Sequence, residues 1–390
     1  MSQDNKYEQY LYDQRDDETV DKQATIVKQY CDRNRKQILP AINKQLKYEQ
    51  ENYKGYKSNS LILRMDFSDG SFVQYADNVS SNSSFKFSNR CILAIPGVPG
   101  SIKDFAPIEK RLEPNFCRFI HLFLPGFDNI DERRGQYVGT LQDGVKMINE
   151  FLNKLGIQKV VIMMHSLGGF FGKYFACCNP ERVDGLIQIA SIPLTEWHGW
   201  TFMRSTYENA YYLSENESFS YYNSDEARKK LQQGSAELKA SLAQLPKNVQ
   251  RQFAPALHFS TSDLFCLRKI TRSLPGGIGE ILHNFRKLDS RIPRLIAYSP
   301  KDELATKNLY EEEIYDLLFI NNKVNYTIKQ QPFKDVQLDL SNFQSNFVFR
   351  VDDGSHYLHF EKANELSVLI RHFIETLDYI EVSPPQKQRL

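Results

Sequence analysis

Hydrophobic residues along this chain fall into two periods. Residues 91–95, 116–124, 160–164, 182–190, 294–298 and 346–351 are short apolar runs, five to nine residues long, rich in Ile, Val, Leu and Phe. Runs of that length without polar alternation predict strands covered on both faces, as in a parallel sheet. Between them lie segments with a helical repeat: residues 142–155 are amphipathic, and residues 170–178 close at Asn179-Pro180, where proline stops a helix. Upstream, residues 61–67 and 72–79 alternate and are joined by Ser68-Asp69-Gly70, which predicts a hairpin. Strands alternating with helices at this interval predict an α/β fold with a doubly wound, mostly parallel sheet. Ligands of such sheets bind beyond the carboxyl ends of the strands. The Gly- and Pro-rich turns at 96–101, 125–128 and 166–169 all fall at that edge.

The same pattern divides the chain. Residues 1–55 form a polar arm with one apolar stripe, Val20, Ala24, Val27 and Cys31, resumed by Ile38, Ile42 and Leu46 beyond Pro40. This predicts either a helix docked on its own domain or one that binds a protein partner. Residues 56–196 and 291–380 carry the sheet pattern, which vanishes between 197 and 290. That insertion shows helical stretches at 226–242 and 279–288, and residues 207–222 are crowded with Tyr and Phe. Residues 321–344 predict an extra hairpin or loop before the last strand, and 381–390 a polar tail.

Charge removes several function classes. Against 49 basic residues stand 48 acidic ones, so there is no electrostatic footprint for nucleic acid or an acidic membrane. Six scattered cysteines without a CxxC pair point to free thiols in a reducing compartment. No apolar signal core or Arg-rich leader opens the chain, and no apolar run reaches transmembrane length, so a cytoplasmic protein is expected. The terminal Gln388-Arg389-Leu390 departs from the peroxisomal tripeptide at its first position.

One stretch carries chemistry. Val160 to Met164 runs straight into His165-Ser166-Leu167-Gly168-Gly169, and a helix follows. Strand, sharp turn bearing serine, then helix is the context of a nucleophile elbow. The turn presents the Ser166 hydroxyl to solvent, and the helix N-terminus offers N–H groups to a developing anion. Gly168 and Gly169 let strand and helix approach; Met164 stands where the usual pattern has its first glycine.

Three further stretches resemble the α/β-hydrolase superfamily over residues 61–377: Pro96-Gly-Val-Pro-Gly-Ser101, Leu122-Phe-Leu-Pro-Gly-Phe127 and Gly354-Ser-His-Tyr-Leu-His-Phe-Glu361. The first resembles a His-Gly-x-Pro-Gly-Ser loop, with Pro96 replacing the histidine. The resemblance implies a cap at 197–290, whose aromatics either line an acyl pocket or pack the cap itself. It also implies a catalytic triad of Ser166, Asp302 and His356, in the chain order of this fold. Asp302 fits the acid position better than Glu303. Backbone N–H groups of Leu167 and Val98 would form the oxyanion hole, since Pro99 has none to give.

The remaining histidines carry the plainer reading. His165 and His359 are expected to pack or hydrogen-bond locally. His121, His198, His258, His283 and His372 stand in no metal-ligand spacing, so neither metal nor cofactor is expected. Serine as nucleophile argues against dehalogenase or epoxide-hydrolase chemistry, which needs a carboxylate. The sequence therefore reads as a serine hydrolase acting on a carboxylic or lipid ester through an acyl-enzyme, with no nucleic-acid partner. The competing reading is a catalytically weak or inactive hydrolase scaffold serving as a structural or interaction subunit. Met164, Pro96 and the N-terminal arm favour it.

Overall fold

The computed structural model describes residues 61–68, 72–79, 90–97, 104–112, 116–123, 141–193, 292–302, 310–311, 313–314, 324–327 and 346–382, with isolated positions between 225 and 243. The N-terminal arm, most of the 197–290 insertion, the loop carrying Val98 and the tail after 382 lie outside these residues. At the described positions of the predicted 226–242 helix, Glu226, Lys229, Gln232, Gln233, Ala236 and Ala240 are helical.

Nine strands form one sheet in the order β1-β2-β4-β3-β5-β6-β7-β9-β8. They are β1 Leu61–Asp66, β2 Phe72–Asp77, β3 Cys91–Ile95, β4 Arg118–Leu122, β5 Val160–Ser166, β6 Val183–Ser191, β7 Arg294–Tyr298, β8 Val324–Thr327 and β9 Asn346–Arg350. The predicted hairpin is present: β1 and β2 pair antiparallel with Asp66 opposite Phe72. β2 also pairs antiparallel with β4, and every later pairing is parallel. Of the segment expected to form an extra hairpin or loop, residues 324–327 are described; they form β8, which lies parallel to β9 with Val324 beside Phe347, and the rest of that segment lies outside the described residues.

The α-helices among the described residues include α1 Ala106–Glu109, α2 Leu141–Lys154, α3 Gly168–Cys178, α4 Leu358–Glu361 and α5 Ala363–Val382. β3, β5 and β7 are buried at every position, as continuous apolar runs require. Alternate residues serve opposite faces. Ile92, Ala94, Val161, Met163, Ile187 and Ile189 pack in one core with Ile108 of α1 and Leu366, Ile370 and Phe373 of α5. Ile162 and Met164 point the other way, against Gly172 of α3. The sheet is doubly wound.

Buried ion pairs tie elements that the apolar pattern does not relate. Arg90 Nη1 meets Asp184 Oδ2 at 2.9 Å and also donates through Nη2 to the Leu377 carbonyl. His121 of β4 meets Glu109 of α1 at 2.9 Å. Lys173, fully buried in α3, donates to Glu313 Oε1 at 2.5 Å and to the Ile192 carbonyl at 3.1 Å. Among the described residues no helix is long and apolar enough to cross a membrane. Cys91, Cys117, Cys177 and Cys178 are free thiols.

Candidate active site

The turn after β5 is built as the sequence predicts. Ser166 has φ 49°, a left-handed conformation costly to a residue with a Cβ. Its neighbour on the next strand is distorted as well. Ala190 of β6 has φ 43°, and the β5–β6 register shifts between His165 and Ser166 so that Ser166 faces Ser191. That bulge brings Ser191 against Gly169, where any Cβ would collide with its hydroxyl. Gly168 is equally constrained, since a Cβ there would strike the carbonyl oxygens of Ile95 and Pro96. The close approach expected of both glycines is therefore present.

Ser166 is only 5% exposed and His356 2%. This corrects the expectation of a hydroxyl presented to solvent: Ser166 sits beneath its neighbours. The chain after β3 is one of them, because a Cβ on Gly97 would lie 2.7 Å from Ser166 Cβ and 3.3 Å from Oγ. Pro96, the residue in place of the loop histidine, thus precedes a glycine that the nucleophile turn requires.

Asp302 and His356 are brought together from the ends of β7 and β9. Asp302 Oδ2 lies 2.9 Å and Oδ1 3.1 Å from His356 Nδ1. A carboxylate accepts, so Nδ1 donates, and in the neutral ring Nε2 keeps the lone pair. Tyr310 donates its hydroxyl to the same Asp302 Oδ2 at 2.7 Å, a contact that no sequence spacing announces. Two turns hold the pair in register. The Ser299 hydroxyl donates to the Gly354 carbonyl at 2.5 Å and accepts from the Lys301 amide at 3.1 Å, linking the Asp302 turn to the His356 turn. Glu361 accepts from both the amide and the hydroxyl of Ser355 at 2.8 and 2.6 Å, closing the start of α4.

His165 connects this pair to the elbow. Its Nε2 donates to the His356 carbonyl at 2.9 Å, and the two rings lie 4.9 Å apart. Burial, reinforced by the neighbouring His356, pushes its pKa down to about 3, so the ring is neutral. His359 lies 3.9 Å from His165 ring to ring and is likewise held well below the usual histidine range by burial. Asp104, before α1, completes a group with these two histidines in which the ligand atoms lie within 4.8 Å of one another. Residues 104, 165 and 359 are too far apart in sequence for spacing to reveal them. Leu167, the first expected oxyanion donor, occupies the N-cap of α3 and is buried; Val98 lies outside the described residues.

A family profile described as alpha/beta hydrolase fold matches residues 91–363. The chain belongs to the α/β-hydrolase fold family. Among solved structures, one from a study of carboxylesterases of the ammonia-oxidizing thaumarchaeon Nitrososphaera gargenis is similar at 15% identity and TM-score 0.51, covering 81% of this chain and 99% of that one. A loop variant of a haloalkane dehalogenase from Bradyrhizobium elkanii is similar at 13% identity and TM-score 0.52, covering 84% and 100%. These likenesses concern the fold. In this chain the residue at the turn is a serine, not a carboxylate.

Proposed function

We propose that this α/β-hydrolase fold protein is a serine hydrolase that cleaves a carboxylic or lipid ester through an acyl-enzyme. The observation that carries the reading is the Asp302–His356 pair, 2.9 Å apart, whose backbone carbonyl is bound by the residue preceding the strained Ser166. A serine hydroxyl is a weak nucleophile, so His356 Nε2 takes its proton as Oγ attacks the ester carbonyl. Asp302 fixes the imidazole tautomer and stabilises the imidazolium. The oxyanion of the tetrahedral adduct would be bound by the Leu167 amide, at the positive end of α3, together with the Val98 amide. Collapse breaks the ester C–O bond, the alcohol leaves with the His356 proton, and water repeats the sequence to release the acid.

The test is turnover of p-nitrophenyl acyl esters by the full chain and by Ser166→Ala. Loss of p-nitrophenol release in the variant, with an unchanged unfolding transition, supports the reading; equal release by both rejects it. A second reading, the inactive scaffold, draws on the 5% exposure of Ser166. It predicts no release from the wild type for any acyl length.

A further inference from the structure

His359 is 0% exposed, yet neither of its ring nitrogens has a hydrogen-bond partner, and His165 Nδ1 is in the same state. Buried polar atoms without partners are costly, and each calls for a ligand or a structural reason. The two rings lie 3.9 Å apart, and Asp104, partly exposed and just before α1, offers a carboxylate oxygen within 4.8 Å of a ring nitrogen of each. Around them the wall is aromatic, with Phe105 and Phe360 at 5.8 and 4.3 Å from the His359 ring.

We propose that Asp104, His165 and His359 form a binding site for a divalent transition metal of the zinc class. Two imidazole nitrogens and one carboxylate oxygen are a donor set that suits such an ion, with a fourth position left for water. His165 donates Nε2–H to the His356 carbonyl, which leaves the Nδ1 lone pair available, as ligating histidines commonly arrange. Ligand atoms within 4.8 Å of one another must close to about 3.3 Å around a tetrahedral ion. Asp104 is the partly exposed member. A bound ion would staple three segments: the chain before α1, the nucleophile turn, and α4 next to His356. The inference stands whether or not Ser166 attacks an ester.

The experiment takes the full chain, freed of metal with a chelator and titrated with Co²⁺ and with Zn²⁺. One equivalent per chain, a visible Co²⁺ absorption displaced by Zn²⁺, and a higher unfolding temperature with Zn²⁺ are expected. Asp104→Ala should weaken binding by more than the ~10–100-fold that a supporting residue costs, and His359→Phe should abolish it while filling the space. Should the buried variant fail to fold, Asp104→Ala decides the matter alone, since its site is partly exposed. Absence of a stoichiometric cobalt spectrum overturns the proposal. Binding unchanged in Asp104→Ala also overturns it, because the ion would then sit elsewhere or on the histidines alone.

Discussion

The sulfur and terminal methyl of Met164 lie where a Cβ on Gly172 would be only 3.1 Å away. Gly172 is one helical turn past Gly168, so a glycine in α3 provides the room that a glycine in β5 would otherwise leave. Methionine, unbranched and polarisable, fills such a gap without forcing its neighbours. The departure at Met164 is thus matched by a compensating small residue, and the turn retains its left-handed Ser166.

That relationship predicts coupling. Gly172→Ala gains about 1 kcal/mol of helix propensity but presses on Met164, a conflict of about 1–3 kcal/mol. In a Met164→Ala background the Met164 part of the conflict disappears, while the contact with Ile162 Cγ2 at 3.0 Å remains. A denaturant double-mutant cycle should return a coupling energy of about 0.5–3 kcal/mol. Additive effects would show that the two side chains do not meet.

The Lys173–Glu313 pair predicts asymmetry. Removing only the acid, as in Glu313→Ala, strands a buried ammonium and should cost about 3–5 kcal/mol. The double variant Lys173→Met/Glu313→Leu keeps volume without charge and should be within about 1 kcal/mol of the wild type or more stable. Chemical denaturation of the three proteins measures this. If the single and double variants are equally unstable, the pair is not the reason for Lys173 burial.

Cysteine chemistry follows burial. Cys91 is buried and its thiol is pushed up to about 12, so it has almost no thiolate at pH 8. Burial raises Cys177 as well, whereas Cys178 is exposed. Iodoacetamide at pH 8 should therefore modify Cys178 fast and leave Cys91 intact in the folded chain, with peptide mapping by mass spectrometry as the readout. Rapid labelling of Cys91 would contradict the packing of β3.

Ser299 should act on chemistry through position. Its hydroxyl bridges the turns that carry Asp302 and His356. Ser299→Ala loses that bond, which is worth about 1 kcal/mol of stability. Ester turnover should fall with little change in KM, since the variant misaligns the pair without touching substrate. Asp302→Asn is expected to be far worse, about 10⁴-fold in turnover, if tautomer control operates as in serine proteases. A Ser299→Ala enzyme with a raised KM and unchanged kcat would argue that the turn shapes the pocket instead.

The sheet was legible because its strands are continuous apolar runs with punctuated ends; β3 and β7 match their predicted ranges to the residue. Asp302 and His356 were read from the resemblance, which places each after such a strand. What escaped were contacts set by tertiary packing. Tyr310 on Asp302, Gly172 beneath Met164, and the His165–His359–Asp104 group depend on how helices land on the sheet. Local periodicity carries no record of that. The β8 strand was missed for a related reason: at four residues it is too short to show a period, and its partner β9 follows it in parallel.

The most direct measurement is labelling with a fluorophosphonate, whose adduct resembles the tetrahedral intermediate. The account predicts stoichiometric labelling of the wild type at Ser166, none in Ser166→Ala, and strongly slowed labelling in His356→Ala, all in folded protein. A folded wild type that resists the reagent, or labelling at a residue other than Ser166, would contradict it.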